Sequence, residues 1–309
     1  LLPTEAGRAS GQLFFMQSEK RGLAALLLVT AVWGTTFPAM KLLSGQLDAL
    51  QIIWLRFAIA LLVLAPLWRG MRSEERRWGL LLGVLLFFAF WLQIEGLGRT
   101  SSNRNAFVTG LNVLVVPVLA MLVFRRNYGW RLWAACALAV AGMALMFHED
   151  EPWNLGDTLT LCSTLFYAIY ILLLEACARR NVAKPLRAAR MAAAQAGVMC
   201  LAAFVLLLVR HGSSWRTGMD ALDAPSWAAL IYLGVLASVL VVTLQAWGQQ
   251  RVDALRSAIV FGLEPVFAAL TAWILLDERM GLVALSGAAL VVLALIWSQW
   301  QPAPALTQP

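Results

Sequence analysis

Charged residues are scarce in this chain. Only 13% of its 309 residues are Asp, Glu, Lys or Arg, whereas 61% are hydrophobic. Ordinary soluble domains carry roughly a quarter charged residues and about half apolar ones. A water-soluble fold cannot bury so much apolar surface, because its exterior needs polar side chains. The composition therefore excludes a soluble enzyme or binding domain and indicates a membrane protein.

Histidine and cysteine are also rare. His148 and His211 are the two histidines, and neither falls in a metal-ligand or nucleophile pattern. The four cysteines lie within apolar runs and form no C-x-x-C pair. We therefore expect no metal and no cofactor. The G-x-x-x-x-G-K-[ST] loop of ATP-driven pumps is absent as well, so transport by this chain would be secondary or facilitated.

What the chain has in abundance is long apolar runs. A run of about 18 or more apolar residues is long enough to cross a hydrocarbon core of roughly 30 Å as a helix. The connections are too short to form a separate domain, so the predicted fold is an all-α integral membrane protein with ten transmembrane helices. The predicted spans are 22–43, 49–68, 78–98, 103–124, 130–147, 156–177, 188–209, 226–249, 256–276 and 281–300.

The positions of Lys and Arg predict the orientation. Most of the 24 basic residues fall in the loops that share a side with the N-terminus, notably within 69–77, 125–131 and 179–190. Because cytoplasmic loops are enriched in Lys and Arg, both termini are expected to be cytoplasmic, with tails at 1–20 and 301–309. The net charge of +7 thus reflects membrane topology, and no nucleic-acid partner is expected.

The chain also contains an internal repeat. At an offset of 152 residues, Leu92–Val140 matches Leu244–Val292 without gaps, and 14 of the 49 positions are identical. Gln93/Gln245 is among them, and a shared Gln in a membrane span does not follow from composition. Each half, 21–148 and 149–300, holds five spans. Since five is odd, the two halves enter the membrane from opposite sides, which predicts two inverted five-helix repeats.

Inverted repeats are typical of secondary transporters, whose substrate site lies near the midplane between the halves. The alternative is an old duplication in a membrane scaffold or sensor without a solute pathway. We expect a transporter with the lipid bilayer and a small-molecule substrate as its partners, as a monomer or a homodimer.

Two segments resemble a known family. They are Ala31–Phe37 (AVWGTTF) in span 1, and Ser257–Leu270 (SAIVFGLEPVFAAL) in span 9 followed by an acidic exit at 277–278. The chain is similar in these segments to the EamA family of the drug/metabolite transporter superfamily, over about 21–300, and most similar to YddG-type bacterial exporters. This resemblance implies export of aromatic and other neutral amino acids across the bacterial inner membrane. The first half departs from the pattern, with Asn112-Val113 where the second half has Glu264-Pro265.

Ionisable groups within a span are costly and usually face the bundle interior. Glu264 lies about ten residues into span 9, near mid-membrane at 1.5 Å per residue. It could take part in proton coupling, or it could accept hydrogen bonds from neighbouring helices around a kink at Pro265. Arg56 in span 2 could hold a substrate carboxylate, bond to a neighbouring helix end or extend towards the headgroups.

Neutral polar residues within the spans are candidates for substrate contacts. A Gln or Asn amide donates and accepts hydrogen bonds at once, which suits a substrate with both an ammonium and a carboxylate. Interhelical hydrogen bonding is the alternative role. The candidates are Gln93, Gln245, Asn112, Thr109 and Ser163.

Aromatic residues at spacings of three and four form stripes on the predicted helices. Such a stripe could bind an aromatic substrate by ring contacts, or it could pack against lipid and other helices. The candidate substrate contacts are Trp33, Phe37, Phe90, Trp91, Tyr167 and Tyr170.

The sequence therefore predicts a secondary or facilitative exporter and not an enzyme. A drug, purine or other metabolite exporter on the same fold is one alternative, because one fold hosts many substrates. A membrane-embedded lipid-modifying enzyme is an alternative of another class, and it would need acid/base or metal groups near one membrane face.

Overall fold

The computed structural model describes residues 5–146, 152–276 and 281–299. The predicted loop residue His148, the acidic exit at 277–278 and the tail 301–309 lie outside the described residues. Within the described ranges, every regular element is helical, and no strand occurs. The prediction of an all-α fold is confirmed.

The first half contains six helices. Two of them, α4 and α5, follow each other within a single membrane span, and a short 3₁₀ turn, Ala65–Trp68, extends α2. The helices are α1 (Glu5–Ser44), α2 (Ala49–Leu64), α3 (Ser73–Leu97), α4 (Ser102–Gly110), α5 (Asn112–Phe124) and α6 (Trp130–Met146).

The second half repeats this order with one more interruption. A π-helical segment, Val235–Leu240, joins α9 to α10, and α11 and α12 again share one span. The helices are α7 (Leu155–Arg180), α8 (Ala188–His211), α9 (Ala224–Gly234), α10 (Val241–Gly248), α11 (Ala254–Phe261), α12 (Glu264–Leu276) and α13 (Leu282–Gln299).

These helices form ten membrane spans. Counting each interrupted helix as one segment, eight are long and apolar enough to cross a membrane, and α6 and α13 are shorter apolar helices. The predicted ten-span arrangement of two inverted five-helix repeats is confirmed. We call the membrane side where the apolar part of α1 begins the amino-terminal face, and the other side the opposite face.

Polar side chains at the helix starts explain where several helices begin. Each accepts a hydrogen bond from a backbone N–H of the first turn, which otherwise has no partner within the helix. Asp48 forms a capping box with Gln51 at the start of α2. Ser101 and Asp253, which are equivalent positions of the two repeats, cap α4 and α11 in the same way. The internal repeat therefore includes the N-cap residues of these two helices.

The predicted continuous spans 4 and 9 are in fact interrupted. In span 4 the break is at Leu111, whose N–H bonds to the carbonyl of Val108 three residues earlier. In span 9 it is at Gly262 and Leu263, and the N–H of Leu263 bonds to the carbonyl of Val260. The new helices begin at Asn112 and Glu264, which are equivalent repeat positions. Both repeats therefore break their fourth helix at the same place by the same tightened turn.

Small residues bring α6 and α13 into close contact. A Cβ added at Gly142 would lie 2.6 Å from the carbonyl oxygen of Gly287, so neither position has room for a side chain. These two glycines therefore let α6 and α13 pack closely within one chain. These two helices form a scaffold beside the rest of the bundle.

Equivalent arginines connect the two halves at opposite faces. Arg104 of α4 donates to Asp157 of α7 at 2.6 Å, and Asp157 is fully buried. Arg256 of α11 forms an ion pair with Glu19 of α1. Each pair joins the interrupted helix of one repeat to the first helix of the other repeat, one pair at each membrane face.

The Gly287→Ala variant tests the contact between α6 and α13. Its Cβ would meet the carbonyl oxygen of Gly142 and, at 2.9 Å, the backbone nitrogen of Met146. Because backbone atoms cannot move aside as a side chain can, we expect a loss of about 1–3 kcal/mol. Thermal unfolding in detergent measures this loss. The control is Gly129→Ala, where no atom lies within 4 Å of the added Cβ; equal melting temperatures for the two variants would contradict the packing.

The Asp157→Ala variant tests the ion pair at the opposite face. The Asp157 carboxylate accepts hydrogen bonds from Arg104, from Thr100 and from the backbone of Asn154. Its removal leaves a largely buried guanidinium without this partner, which costs about 3–5 kcal/mol. Asp223→Ala removes an exposed helix cap and should cost far less. Melting temperatures that fall equally in both variants would show that the buried pair contributes nothing beyond capping.

Candidate functional site

One cavity of about 540 Å³ lies between the two halves, beside both helix interruptions. Nine helices contribute to its wall, namely α1 to α5, α7 and α10 to α12. The lining residues are Trp33, Thr36, Phe37, Met40, Arg56, Phe90, Gln93, Thr109, Asn112, Tyr167, Ile171, Gln245, Phe261 and Glu264.

The repeat is visible in this wall. Three equivalent pairs of positions line the cavity: Gln93 with Gln245, Thr109 with Phe261, and Asn112 with Glu264. Because the two halves are inverted copies, their equivalent positions converge at the midplane. The cavity therefore lies on the pseudo-symmetry axis between the repeats.

The two segments that resemble the EamA family pack against each other at the cavity. On α1, Trp33 and Phe37 face the cavity, while Gly34 faces α12. A Cβ at Gly34 would lie 2.7 Å from the backbone nitrogen of Ala268, so only glycine permits this approach of α1 to α12. The close contact fixes the aromatic stripe of α1 beside Glu264.

Arg56 is buried in the cavity wall without a carboxylate partner. Its side chain is 1% exposed, so it does not reach the headgroups. The Nε atom donates to Ser238 at 3.0 Å, and the guanidinium lies over the rings of Phe57 and Phe90, at 5.3 and 4.8 Å from their centroids. Among the described residues it forms no ion pair. Within the described part of the chain, its terminal nitrogens make one weak hydrogen bond, to the sulfur of Met40 at 3.8 Å.

Glu264 is the first residue of α12 and is also buried, at 6% exposure. No hydrogen bond or ion pair to its carboxyl group occurs within the described part of the chain. The start of a helix favours negative charge there. Pro265 lies in the first turn, where its missing N–H costs nothing. The expected kink is thus a complete interruption, and Glu264 faces the cavity at its edge.

Gln93 belongs to a buried hydrogen-bond network on α3. Its Oε1 accepts from the hydroxyl of Tyr167 at 2.9 Å, and its Nε2 donates to the hydroxyl of Thr109 at 3.1 Å. Asn105 donates from its amide to the Gln93 carbonyl at 3.1 Å. This network holds Tyr167 and Thr109 in fixed positions at the wall.

The amide oxygens of Gln245 and Asn112 are different, because they lack partners. Both side chains are buried, and neither Oε1 of Gln245 nor Oδ1 of Asn112 has a hydrogen bond from any described group. A buried polar atom without a partner costs free energy unless a ligand or water supplies one. Two such acceptors in one cavity indicate a binding site for a ligand or water that carries hydrogen-bond donors.

Three of the predicted substrate contacts lie away from the cavity. The Tyr170 hydroxyl donates to Gln195 of α8 at 2.9 Å. The Ser163 hydroxyl donates to the Thr160 carbonyl of its own helix. The ring of Trp91 packs on its neighbours Phe87 and Phe88. Trp91 and Tyr170 are turned away from the cavity on helices that line it, whereas Ser163 lies one turn before Tyr167 on the same face of α7 and does not line the cavity.

The cavity wall also contains residues that sequence reasoning missed, namely Met40, Ile171 and Phe261. Spacing could have identified two of them, because Met40 lies three residues after Phe37 and Ile171 four after Tyr167. The repeat could have identified Phe261, the partner of Thr109. Arg56, which the sequence had marked as a candidate, is the residue of α2 in the cavity wall.

Comparison with known proteins gives three consistent results. The model of the EamA-like transporter family matches residues 20–148 and 154–299. An uncharacterized transporter of Archaeoglobus fulgidus is 25% identical, over 88% of this chain and 83% of its own length. A protein of Escherichia coli K12 named a probable amino-acid metabolite efflux pump is 26% identical, over 90% of this chain and 94% of its own.

A solved crystal structure has the same fold. Its TM-score is 0.71 over 92% of this chain and 98% of that chain, at 15% sequence identity. Since the family match covers nearly all of both five-helix halves, around a cavity on their shared axis, the protein is a multi-pass membrane transporter that belongs to the EamA-like transporter family.

Proposed function

We propose that the protein exports zwitterionic amino acids, aromatic ones among them, from the cytoplasm by alternating access. The observation that carries this proposal is that Arg56 and Glu264 line one cavity without an ion pair to each other or to any other described residue. Buried charges without partners are costly. A substrate with a carboxylate at one end and an ammonium at the other compensates both at once.

The polar groups of the cavity fall into two kinds by their hydrogen-bonding character. The Arg56 guanidinium supplies only donors, and its planar fork suits a carboxylate. The Glu264 carboxylate and the unpartnered oxygens of Asn112 and Gln245 supply only acceptors, which suits the three donors of an ammonium group. This polarity favours an amino acid over a simple amine or a simple acid.

The remaining wall is largely aromatic, and it supports recognition of a large apolar side chain. Trp33 and Phe261 lie with ring centroids 5.2 Å apart, and Phe90 meets Tyr167 edge-to-face at 5.8 Å. Aromatic rings prefer such tilted and edge contacts with further rings.

Three further features of the transporter are part of the proposal. The distribution of Lys and Arg supports a bacterial inner-membrane location with both termini in the cytoplasm. The inverted repeats around a midplane cavity support alternating access. One chain supplies both inverted repeats and so both sides of the cavity; the proposed transporting unit is therefore this chain in the lipid bilayer, as a monomer or within a homodimer. The Escherichia coli relative, named a probable amino-acid metabolite efflux pump, is consistent with export of amino-acid metabolites.

Competition against labelled phenylalanine in proteoliposomes tests the substrate class. Phenethylamine lacks the carboxylate and 3-phenylpropanoate lacks the ammonium, so each leaves one buried charge unpaired and should compete at least about tenfold more weakly than phenylalanine. In Arg56→Gln the preference for phenylalanine over phenethylamine should disappear, because the carboxylate is no longer recognised. In Glu264→Gln the preference for phenylalanine over 3-phenylpropanoate should disappear, because the ammonium is no longer recognised. Each variant should leave the other preference in place.

Two exposed charges provide matched controls. Arg216→Gln and Glu74→Gln remove the same charges outside the cavity and should leave both preferences intact. Flux of ethidium without flux of phenylalanine, tryptophan or threonine would instead support drug efflux. If both analogues compete as well as phenylalanine in the unaltered protein, recognition of a zwitterion is wrong.

A further inference from the structure

A second cavity of about 700 Å³ lies at the amino-terminal face. The end of α7, the start of α8, the end of α10 and the beginning of the apolar part of α1 enclose it. Ser18, Cys177 and Gln250 are among its lining residues. Because these residues belong to four different elements that meet at one membrane face, the second cavity has the position of a vestibule.

The two cavities are separated by about one helical turn. On α7, Ile171 lines the first cavity and Leu174 the second. On α10, Gln245 lines the first and its neighbour Ala246 the second. Positions no more than three residues apart on each helix thus line different cavities, and the barrier between the cavities is thin.

Gln249 occupies this barrier. It is 2% exposed and lines neither cavity. Its Oε1 accepts a hydrogen bond from Nε2 of Gln245 at 3.2 Å, and its Nε2 donates to the Ile171 carbonyl at 3.2 Å. A single side chain therefore connects α10 to α7 between the two cavities, and it is bonded to a residue of the cavity wall.

The two faces differ in how closely the backbones of their helices approach. On the route to the opposite face, a Cβ at Gly96 of α3 would lie 2.7 Å from the carbonyl oxygen of Gly156 of α7, whereas at the amino-terminal face a Cβ at the equivalent Gly248 would lie 3.2 Å from the carbonyl oxygen of Gly22. An ion pair joins the two halves at each face, Arg104 with Asp157 and Arg256 with Glu19. Close backbone contacts open only when whole helices move, whereas Gln249 needs only a side-chain rotation.

We propose that Gln249 is the gate between the substrate cavity and a vestibule at the amino-terminal face. Gln245 couples this gate to the substrate, because its Oε1 faces the cavity without a partner while its Nε2 holds Gln249. A substrate ammonium that binds this oxygen draws the Gln245 amide towards the cavity and weakens its bond to Gln249. The coupling rests on the proposed function, whereas the position of the gate does not.

The vestibule has a chemistry that suits the same substrates. Its lining is mainly apolar, with Arg251 as its basic residue. The Arg251 guanidinium lies over the Trp247 ring, 3.7 Å from the centroid, and donates to the Trp247 carbonyl. A cation held against an aromatic face attracts a carboxylate that carries an apolar side chain. The vestibule therefore receives amino acids before they reach Gln249.

Reaction rates with a charged, membrane-impermeant methanethiosulfonate reagent test the gate. The native cysteines are replaced by serine, and one reporter is added: Ser18→Cys in the vestibule or Thr36→Cys in the substrate cavity. Ser18→Cys should react fast from one side of sided vesicles, which identifies the amino-terminal face. From that side, Thr36→Cys should react slowly, and Gln249→Ala should accelerate its reaction roughly tenfold, as expected when two ordinary hydrogen bonds are removed.

Gln195→Ala is the matched control. Gln195 is a buried glutamine that also connects two helices, accepting from Tyr170, but it lines neither cavity. Its loss should leave the Thr36→Cys rate unchanged, and neither variant should alter the Ser18→Cys rate, which reports an intact vestibule. The gate is refuted if Gln249→Ala leaves the Thr36→Cys rate unchanged, or if Gln195→Ala raises it equally.

Added phenylalanine separates the gate from its coupling to substrate. Phenylalanine in the cavity should slow the reaction of Thr36→Cys in the Gln249→Ala background, because it occupies the space beside the reporter. Rates that respond to Gln249→Ala but not to phenylalanine would refute the proposed substrate and leave the gate in place. Rates that respond to phenylalanine but not to Gln249→Ala would refute the gate and leave the proposed substrate in place.

Discussion

The structure depends on one constraint: inside a membrane, backbone N–H and C=O groups must find partners within the protein. Helices satisfy this requirement by themselves, so an interruption is tolerated only inside the protein or beside a cavity. The breaks at Leu111 and at Gly262-Leu263 are such interruptions, and both keep tightened backbone hydrogen bonds. They place Asn112 and Glu264 at new helix starts. The cavity lies where these two helix starts converge.

The constraint also explains why the rest of the bundle is packed so closely. Hydrophobic burial does not hold helices together in lipid, since lipid tails are as apolar as leucine. Close backbone approach replaces it, as between Gly142 and Gly287, and between Gly34 and α12. These contacts fix the helices around the cavity, while the cavity itself keeps polar groups that the packing does not satisfy.

The unpaired groups in the cavity are a cost that the remaining structure offsets. Arg56 and Glu264 are buried without ion pairs among the described residues, and the oxygens of Asn112 and Gln245 lack hydrogen bonds. Other buried charges of the described residues are paired, as Asp157 is with Arg104. These four groups line one cavity, so the proposed zwitterionic substrate would provide partners for all of them together. Gln249 adds the means by which such a ligand reaches them.

Sequence alone determined the all-helical membrane fold, its ten spans and the inverted repeat. These features follow from the length of apolar runs and from self-similarity, which are properties of the chain taken one segment at a time. It also identified most of the cavity wall, because polar groups such as Gln93 and Glu264 are rare enough in spans to indicate the interior.

Tertiary structure alone decided how the candidate residues divide into the cavity wall and the packed interior. Tyr170 and Tyr167 are both buried aromatic residues of α7, yet only Tyr167 faces the cavity. The sequence predicted a kink at Pro265, but it did not predict the interruption of span 4, the unpaired state of Arg56 or the bond from Gln249 to α7. Each depends on how a helix is rotated about its axis, because this rotation decides which face meets which neighbour. Contacts between segments that are distant in the chain set the rotation.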